Sequence, residues 1–214
     1  MKYPKVERLV VVAAPSCCGK STLLEKLSAG EATPVSSFLK IDHKKNWIFV
    51  DSDRLGEVHA TQIPHLLLHY ALPAIPLKTG ALPNLPSDPP LKIIENAQSI
   101  VFVTLYADPK ILVGRVRKRK RSRRINRVPV LRAAIGCLSH STWLRHRFSL
   151  LKKVRRWNSL ETVFADVDEV EALYAQWFNF IHCYGSENHR LVCTDKDYAV
   201  HTLAEWHDIV QQWH

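Results

Sequence analysis

The sequence predicts an α/β protein in which a mostly parallel, five-stranded sheet lies between two layers of helices. Short apolar runs of strand length alternate along the chain with stretches of helical periodicity. Strands that alternate with helices form parallel sheets, and such sheets are covered by helices on both faces. A length of 214 residues fits one domain. We therefore expect residues 1–214 to form a single three-layer α/β/α domain.

The predicted strands are bounded by polar or turn-forming residues. They are Leu9–Ala13, Trp47–Val50, Leu66–Leu72, Ser99–Leu105 and Arg190–Cys193. A continuous apolar run of this length is typical of a strand that is buried on both faces. The pattern therefore predicts that the first and fourth runs are buried strands and that the third run is a central strand.

Capping residues predict where most of the helices begin. The first helix follows the first strand and ends near Gly30. Further helices are predicted after Asp108-Pro109, after Ser139 or Ser141, after Asp166 with Glu169, and after Thr202 with Glu205. A short helical turn is expected at Ile93–Ala97, whereas residues 31–46 show no clear period. Residues 73–90 contain six prolines and are expected to form an irregular loop.

The positive charge of the chain is concentrated in one segment. The formal net charge is +10, and residues 109–160 contain 17 Lys or Arg and no Asp or Glu. Such a segment favours an anionic partner, which includes nucleotide phosphates, an acidic substrate, nucleic acid and a membrane surface.

The remaining composition favours a cytoplasmic protein. No apolar run approaches the roughly 18 residues of a membrane span. The first strand begins close to Met1, which argues against a signal peptide. Five cysteines, two of them adjacent, do not form a disulfide framework and suit a reducing compartment.

The clearest functional signal is a strand, a tight loop and a helix at residues 9–27. The loop contains Gly19-Lys20-Ser21-Thr22, and this context is what a phosphate-binding loop requires. It resembles the Walker A motif of P-loop NTPases and P-loop kinases, although Ala14 stands where the motif has its first glycine. The alternative is a chance match in an ordinary strand, turn and helix. The residues predicted to bind the nucleotide are Ala14, Pro15, Ser16, Cys17, Cys18, Gly19, Lys20, Ser21 and Thr22.

The resemblance implies a role for individual side chains of this loop. Lys20 would reach the β- and γ-phosphates of ATP, and the Ser21 hydroxyl would hold Mg²⁺. The loop N–H groups and the helix N-terminus would also lower the pKa of the thiols of Cys17 and Cys18. Simple packing of small residues is the alternative account of the two cysteines.

Two carboxylates follow the second predicted strand. Phe49-Val50-Asp51-Ser52-Asp53 resembles the Asp-x-Asp motif of shikimate and gluconate kinases. The resemblance implies that Asp51 lies near Mg²⁺ and that Asp53 contacts the acceptor hydroxyl, where it serves as a base. In an extended chain these two side chains point to the same side. The alternative is that both merely end the strand and cap the next turn.

The helix after Asp108 leads into the basic segment, and residues 115–138 are predicted to form a basic lid or connection. This stretch is similar to the segment before the lid of nucleoside monophosphate and shikimate-type kinases. Arg115 and Arg119 lie four residues apart and hence on one helical face. A guanidinium there would stabilise the transferred phosphoryl group. For most of the other basic residues, a solvated face is the better interpretation.

The third predicted strand lacks the acidic residue that usually ends a Walker B strand. His69 and Tyr70 stand there instead, beside the expected crevice. Together with Asp53 and Arg54, they are candidates for contact with the substrate. A buried, hydrogen-bonded pair is the alternative for His69 and Tyr70.

Together these residues favour an ATP-dependent kinase that transfers the γ-phosphate to a hydroxyl of a small acceptor, with ATP and Mg²⁺ bound. One alternative is a polynucleotide 5′-hydroxyl kinase, in which the basic segment at residues 115–156 binds nucleic acid. Another is a regulatory module in which the nucleotide controls binding without phosphoryl transfer.

Overall fold

The computed structural model describes residues 3–41, 47–58, 61–72, 90–125, 157–184 and 188–214. Within these ranges, one sheet has the strand order β2-β3-β1-β4-β5-β6. Its strands are β1 Lys5–Pro15, β2 Trp47–Asp51, β3 Gln62–Leu72, β4 Ala97–Tyr106, β5 His189–Cys193 and β6 Ala199–His201. The first five are parallel, and β6 is antiparallel to β5.

The α/β class and the mostly parallel sheet are thereby confirmed, but the predicted number of five strands is wrong, since the described sheet has six. The additional strand, β6, is only three residues long. A segment this short carries too little periodicity to be recognised in a sequence.

The helices of the described residues occupy most of the predicted positions. They are α1 Lys20–Ser28, α2 Pro34–Leu39, α3 Pro90–Glu95, α4 Pro109–Ile125, α5 at residues 157–165, α6 Val167–His182 and α7 Trp206–Gln211. Two 3-10 helices lie at Ser52–Glu57 and Leu203–Glu205.

The capping predictions are confirmed at three helices. Asp108 accepts a hydrogen bond from the Lys110 N–H at 2.7 Å, and Asp166 accepts one from the Glu169 N–H at 3.3 Å. Thr202 and Glu205 form a capping box before α7. The predictions for residues 73–89 and 126–156 lie outside the described residues. So does the side chain of Asp53.

Helix α2 was not predicted, although it has a clear start signal. Thr33 is the N-cap and forms a capping box with Ser36, and Pro34 occupies the first helical turn. A threonine followed by proline is a favourable helix start because proline needs no N–H partner there. The six residues of α2 are too few for a helical period to stand out.

Helix α6 covers one face of the sheet. The Trp177 ring stacks on Tyr70 at 5.4 Å between centroids and meets Phe102 edge to face at 6.0 Å. Its indole N–H donates to the Thr104 hydroxyl at 2.9 Å, and His189 Nε2 lies 2.8 Å from the same oxygen. Trp177, Thr104 and His189 therefore form a buried hydrogen-bonded cluster beneath α6, in which Nδ1 of His189 has no hydrogen-bond partner among the described residues.

Helix α2 lies on the opposite face. The Arg8 guanidinium donates to the carbonyl oxygen of Leu39, at the end of α2, at 2.6 Å. Arg8 precedes Ala13 by an odd number of residues, and Ala13 pairs with Tyr70 in register. Because side chains alternate along a strand, Arg8 and Tyr70 point to opposite faces. Helices thus contact both faces, which is compatible with three layers.

Strand β1 forms the centre of the core. It pairs with β3 on one side and β4 on the other, and the side chains at positions 9–14 are fully buried. Burial of a large aliphatic side chain contributes about 1.5–3 kcal/mol. This rigid strand carries the loop that follows it at Pro15. No helix among the described residues is long and apolar enough to span a bilayer.

Candidate functional site

The loop between β1 and α1 forms a concave backbone surface. Cys17 and Gly19 both adopt left-handed conformations, with φ of 72° and 84°. Alternation of left-handed with right-handed residues is the backbone pattern of an anion-binding nest, although the N–H of Cys18 donates to the Pro15 carbonyl at 3.4 Å. The first turn of α1 contains no acidic residue. The positive end of the helix dipole therefore reinforces the preference for an anion.

The side chain of Lys20 lies beneath this loop. It is only 6% exposed. Its ammonium group donates to the carbonyl oxygens of Ala14 at 2.6 Å and Pro15 at 2.9 Å. Burial lowers the pKa of Lys20 to about 8. An anionic ligand would strongly stabilise this buried ammonium group, because its negative charge would compensate a positive charge that now faces only neutral carbonyls.

An open cavity of about 730 Å³ lies above the loop. Apart from the small residues of the loop, its lining includes five charged or titratable side chains that the sequence predicted to be functional: Lys20, Asp51, His69, Arg115 and Arg119. The lining residues are Ser16, Cys17, Gly19, Lys20, Ser21, Thr22, Asp51, His69, Ala71, Arg115, Arg119, Thr194 and Tyr198. The volume suits a ligand the size of a nucleotide. The cations Lys20, Arg115 and Arg119 outnumber the carboxylate of Asp51, so the lining favours an anionic ligand.

Asp51 and His69 meet at the carboxyl ends of two neighbouring strands. They pair in register between β2 and β3, and His69 Nδ1 lies 2.7 Å from Asp51 Oδ2. Since a carboxylate oxygen only accepts hydrogen bonds, Nδ1 carries the proton that is shared with Asp51. The side chain of His69 is 14% exposed and that of Asp51 is 43% exposed.

The expected extended geometry of Asp51 and Asp53 is wrong. The strand ends at Asp51, and a 3-10 helix begins at Ser52. The backbone is therefore not extended from Asp51 to Asp53.

The two arginines predicted on one face of α4 reach the cavity by different contacts. Arg115 donates to the Thr194 hydroxyl at 2.9 Å and to the Thr194 carbonyl at 3.1 Å. Arg119 Nη1 lies 4.0 Å from Cys17 Sγ, and its guanidinium carbon lies 5.4 Å from the centroid of a Trp157 ring. Arg115 is therefore tied to the end of β5, whereas Arg119 extends over the loop.

The other basic residues of α4 divide into paired and exposed cations. Arg117 and Lys120 both contact Glu161 of α5, at 2.7 and 3.4 Å. Glu161 has a lowered pKa, chiefly because of its hydrogen bond with Arg117. Lys118 and Arg121 are exposed. The expected solvated face thus includes an ion-paired contact with α5.

Three sequence predictions are not supported by the structure: two concern the position of a side chain, and one concerns a pKa. Tyr70 lies on the face covered by α6, with 7% of its surface exposed, rather than beside His69 in the cavity. Arg54 is exposed and is not among the described lining residues. The expectation of a lowered thiol pKa is wrong for Cys18, because complete burial raises its pKa to about 11.

Sequence reasoning missed Ala71, Thr194 and Tyr198. Thr194 directly follows a predicted strand, and residues at the carboxyl ends of parallel strands line ligand crevices. That position could have identified it. Tyr198 lies in the turn between β5 and β6 with a φ of 60°, and no sequence signal indicated its place.

The donor groups suit Mg²⁺ bound together with phosphates. Ser21 and Asp51 contribute a hydroxyl and a carboxylate to the same cavity. The described residues contain no cluster of three or more His, Cys, Asp or Glu that would hold a metal ion unaided. Mg²⁺ usually takes one or two protein oxygens and completes its coordination with phosphate and water.

Comparison of the chain with protein-family models and with curated proteins found no significant match in either set.

Proposed function

We propose that this protein is an ATP-dependent phosphotransferase of the P-loop kinase class, which transfers the γ-phosphate to a hydroxyl of a small acceptor. The observation that carries the proposal is the single cavity in which Lys20, Ser21 and Asp51 meet two arginines of α4. These groups come from three elements, α1, β2 and α4, so their convergence does not follow from one local motif.

The loop supplies the phosphate-binding part. Its backbone N–H groups and the N-terminus of α1 would bind the β-phosphate. Lys20 would exchange its two carbonyl partners for phosphate oxygens. Mg²⁺ between Ser21, Asp51 and the phosphates would neutralise charge during transfer.

In the reaction, the acceptor oxygen forms a bond to the γ-phosphorus while the bond to the ADP oxygen breaks. The acceptor hydroxyl must lose its proton. By resemblance to the Asp-x-Asp kinases, Asp53 would receive it.

Arg119 is the better candidate for stabilising the transferred phosphoryl group. The guanidinium of Arg115 already makes two hydrogen bonds with Thr194, so it would have to leave both to bind a phosphate. Arg119 lies on the cavity lining beside the loop without such a bidentate anchor among the contacts described. A guanidinium over the loop would offset the negative charge of the transition state.

A polynucleotide 5′-hydroxyl kinase is the second candidate. It is favoured by Lys118 and Arg121, which are exposed on α4 beyond the cavity arginines. Cations in this position would bind the phosphates of a strand whose end enters the cavity.

The test is transfer from γ-labelled ATP with Mg²⁺ to two separate pools, a metabolite extract and short 5′-hydroxyl DNA and RNA. Lys20→Ala should reduce transfer by about a hundredfold or more, since it removes a cation aimed at the transferred group. Lys92→Ala is the matched control, because Lys92 lies on α3 with 46% of its side chain exposed.

The pool that is labelled would distinguish the two kinase candidates. ATP binding without transfer to either pool would contradict the kinase proposal and favour the nucleotide-controlled module. A Walker B strand usually ends in an acidic residue, whereas the end of β3 has His69 and Ala71. This difference is consistent with that outcome.

A further inference from the structure

The pairing of His69 with Asp51 assigns a role to a residue that has no counterpart in the resemblance described above. We propose that His69 is a positioning residue, which holds the Asp51 carboxylate in the orientation that binds the divalent cation of a bound nucleotide. This inference rests on the proposed function, because it requires a nucleotide and its cation in the cavity.

The geometry of the pair favours positioning over contact with the acceptor. The two residues are directly opposite each other in a parallel ladder, so the backbone itself brings the side chains together. The 2.7 Å hydrogen bond occupies Nδ1 of His69 and Oδ2 of Asp51. The imidazole is therefore directed from β3 toward the neighbouring strand β2.

The exposure of the two side chains also separates their roles. His69 is mostly buried, at 14% exposure, whereas Asp51 is 43% exposed at the cavity. The outer member of the pair can reach a ligand, and the inner member restricts its rotation. Hydrogen-bonded partners of a ligating carboxylate orient it in this way, and their loss reduces metal affinity by about 10–100-fold.

His69 also provides a structural link between Asp51 on β2 and the central strand β1. It is in register with Val12 of β1, three residues before the strand ends at Pro15. Asp51 is thus held relative to the same central strand whose following loop leads to Lys20 and Ser21 at the start of α1. A carboxylate on β2 alone would lack this link, because β2 is the edge strand of the described sheet.

The test compares ADP binding by calorimetry in the presence of MgCl₂ and in the presence of EDTA. The Kd in EDTA divided by the Kd in MgCl₂ measures how much the cation contributes to nucleotide binding. In His69→Leu, which cannot donate to Asp51, we expect this ratio to fall by about tenfold. The Kd in EDTA should stay within about twofold of the wild-type value, because the phosphate-binding loop is unchanged.

Two further variants separate positioning from folding. In His69→Asn, the amide nitrogen replaces Nδ1, so most of the Mg²⁺ effect should be retained. His65→Leu is the matched control, since His65 lies on β3 with its side chain on the same face, stacked on Trp47 and outside the cavity lining. It should leave the ratio unchanged.

The outcomes distinguish this inference from the proposed function. Wild-type Mg²⁺-dependent binding with an unchanged ratio in His69→Leu would overturn the role of His69 alone. Equal losses with MgCl₂ and with EDTA would also overturn it, because they would indicate a structural role. A wild-type protein that binds no nucleotide would contradict both proposals.

Discussion

Replacing Lys20 by methionine should change how the free energy of unfolding depends on pH. Lysine and methionine have similar unbranched side chains, but only lysine carries a charge. In the folded protein Lys20 is 6% exposed, and its ammonium group contacts two neutral carbonyls. The substitution therefore removes a buried charge with little change in packing.

The magnitude follows from the pKa of this group. Burial lowers the pKa of Lys20 from 10.5 to about 8. Between these values the unfolded chain holds a proton that the folded protein has released, so a rise in pH stabilises the folded state. The free energy of unfolding of the wild type, relative to Lys20→Met, should rise by about 1.3 kcal/mol from pH 7 to pH 9. The full difference, about 3 kcal/mol, would be reached above pH 10.5.

Urea denaturation at a series of pH values measures this difference directly. Subtraction of the Lys20→Met data removes the contributions of all groups that the two proteins share. Lys92→Met provides the baseline for loss of a surface lysine. A difference that stays flat or falls with rising pH would refute the reasoning. It would mean that the carbonyls of Ala14 and Pro15 stabilise the ammonium as well as water does.

Two further predictions concern stability elsewhere in the fold. Burial lowers the pKa of His189 from 6.5 to about 4, so acid favours the unfolded chain, which binds the proton more readily. The free energy of unfolding should fall by about 2 kcal/mol from pH 7 to pH 5 through this group, and His189→Gln should remove that part of the slope in urea titrations. Gly19→Ala should cost about 1 kcal/mol in thermal denaturation, because alanine is strained at a φ of 84°. Its Cβ would meet the Thr194 Cβ at an ordinary 3.5 Å, so a loss of several kcal/mol, or any gain, would contradict this account.

The elements with strong local signals could be predicted from the sequence. The apolar run at 9–13 became the central strand, and the caps at Asp108, Asp166 and Thr202 mark helix starts in the structure. The missed elements include α5 at residues 157–165 and two shorter ones, α2 and β6, which are six and three residues long. Short elements depend on tertiary contacts for their stability, so they leave little periodicity in the sequence.

The candidate site was partly predictable for a similar reason. Residues at strand ends and in the loop could be located because a parallel sheet gathers the carboxyl ends of its strands. Asp51 and Lys20 were located in this way, whereas Arg119 was located from its spacing to Arg115 on α4. The orientation of Tyr70 was not, since adjacent residues of a strand face opposite sides and the sequence leaves open which side faces the cavity.

The sequence by itself determined the fold class, the buried first strand and the loop in which Gly19 permits a left-handed turn, because these depend on local periodicity and backbone sterics. Only the tertiary structure decided how distant side chains pair. It placed His69 against Asp51 through strand register and Arg115 against Thr194 through the packing of α4 beside β5. Such pairings depend on register and helix placement, which arise from the cooperative packing of the whole core rather than from any one segment.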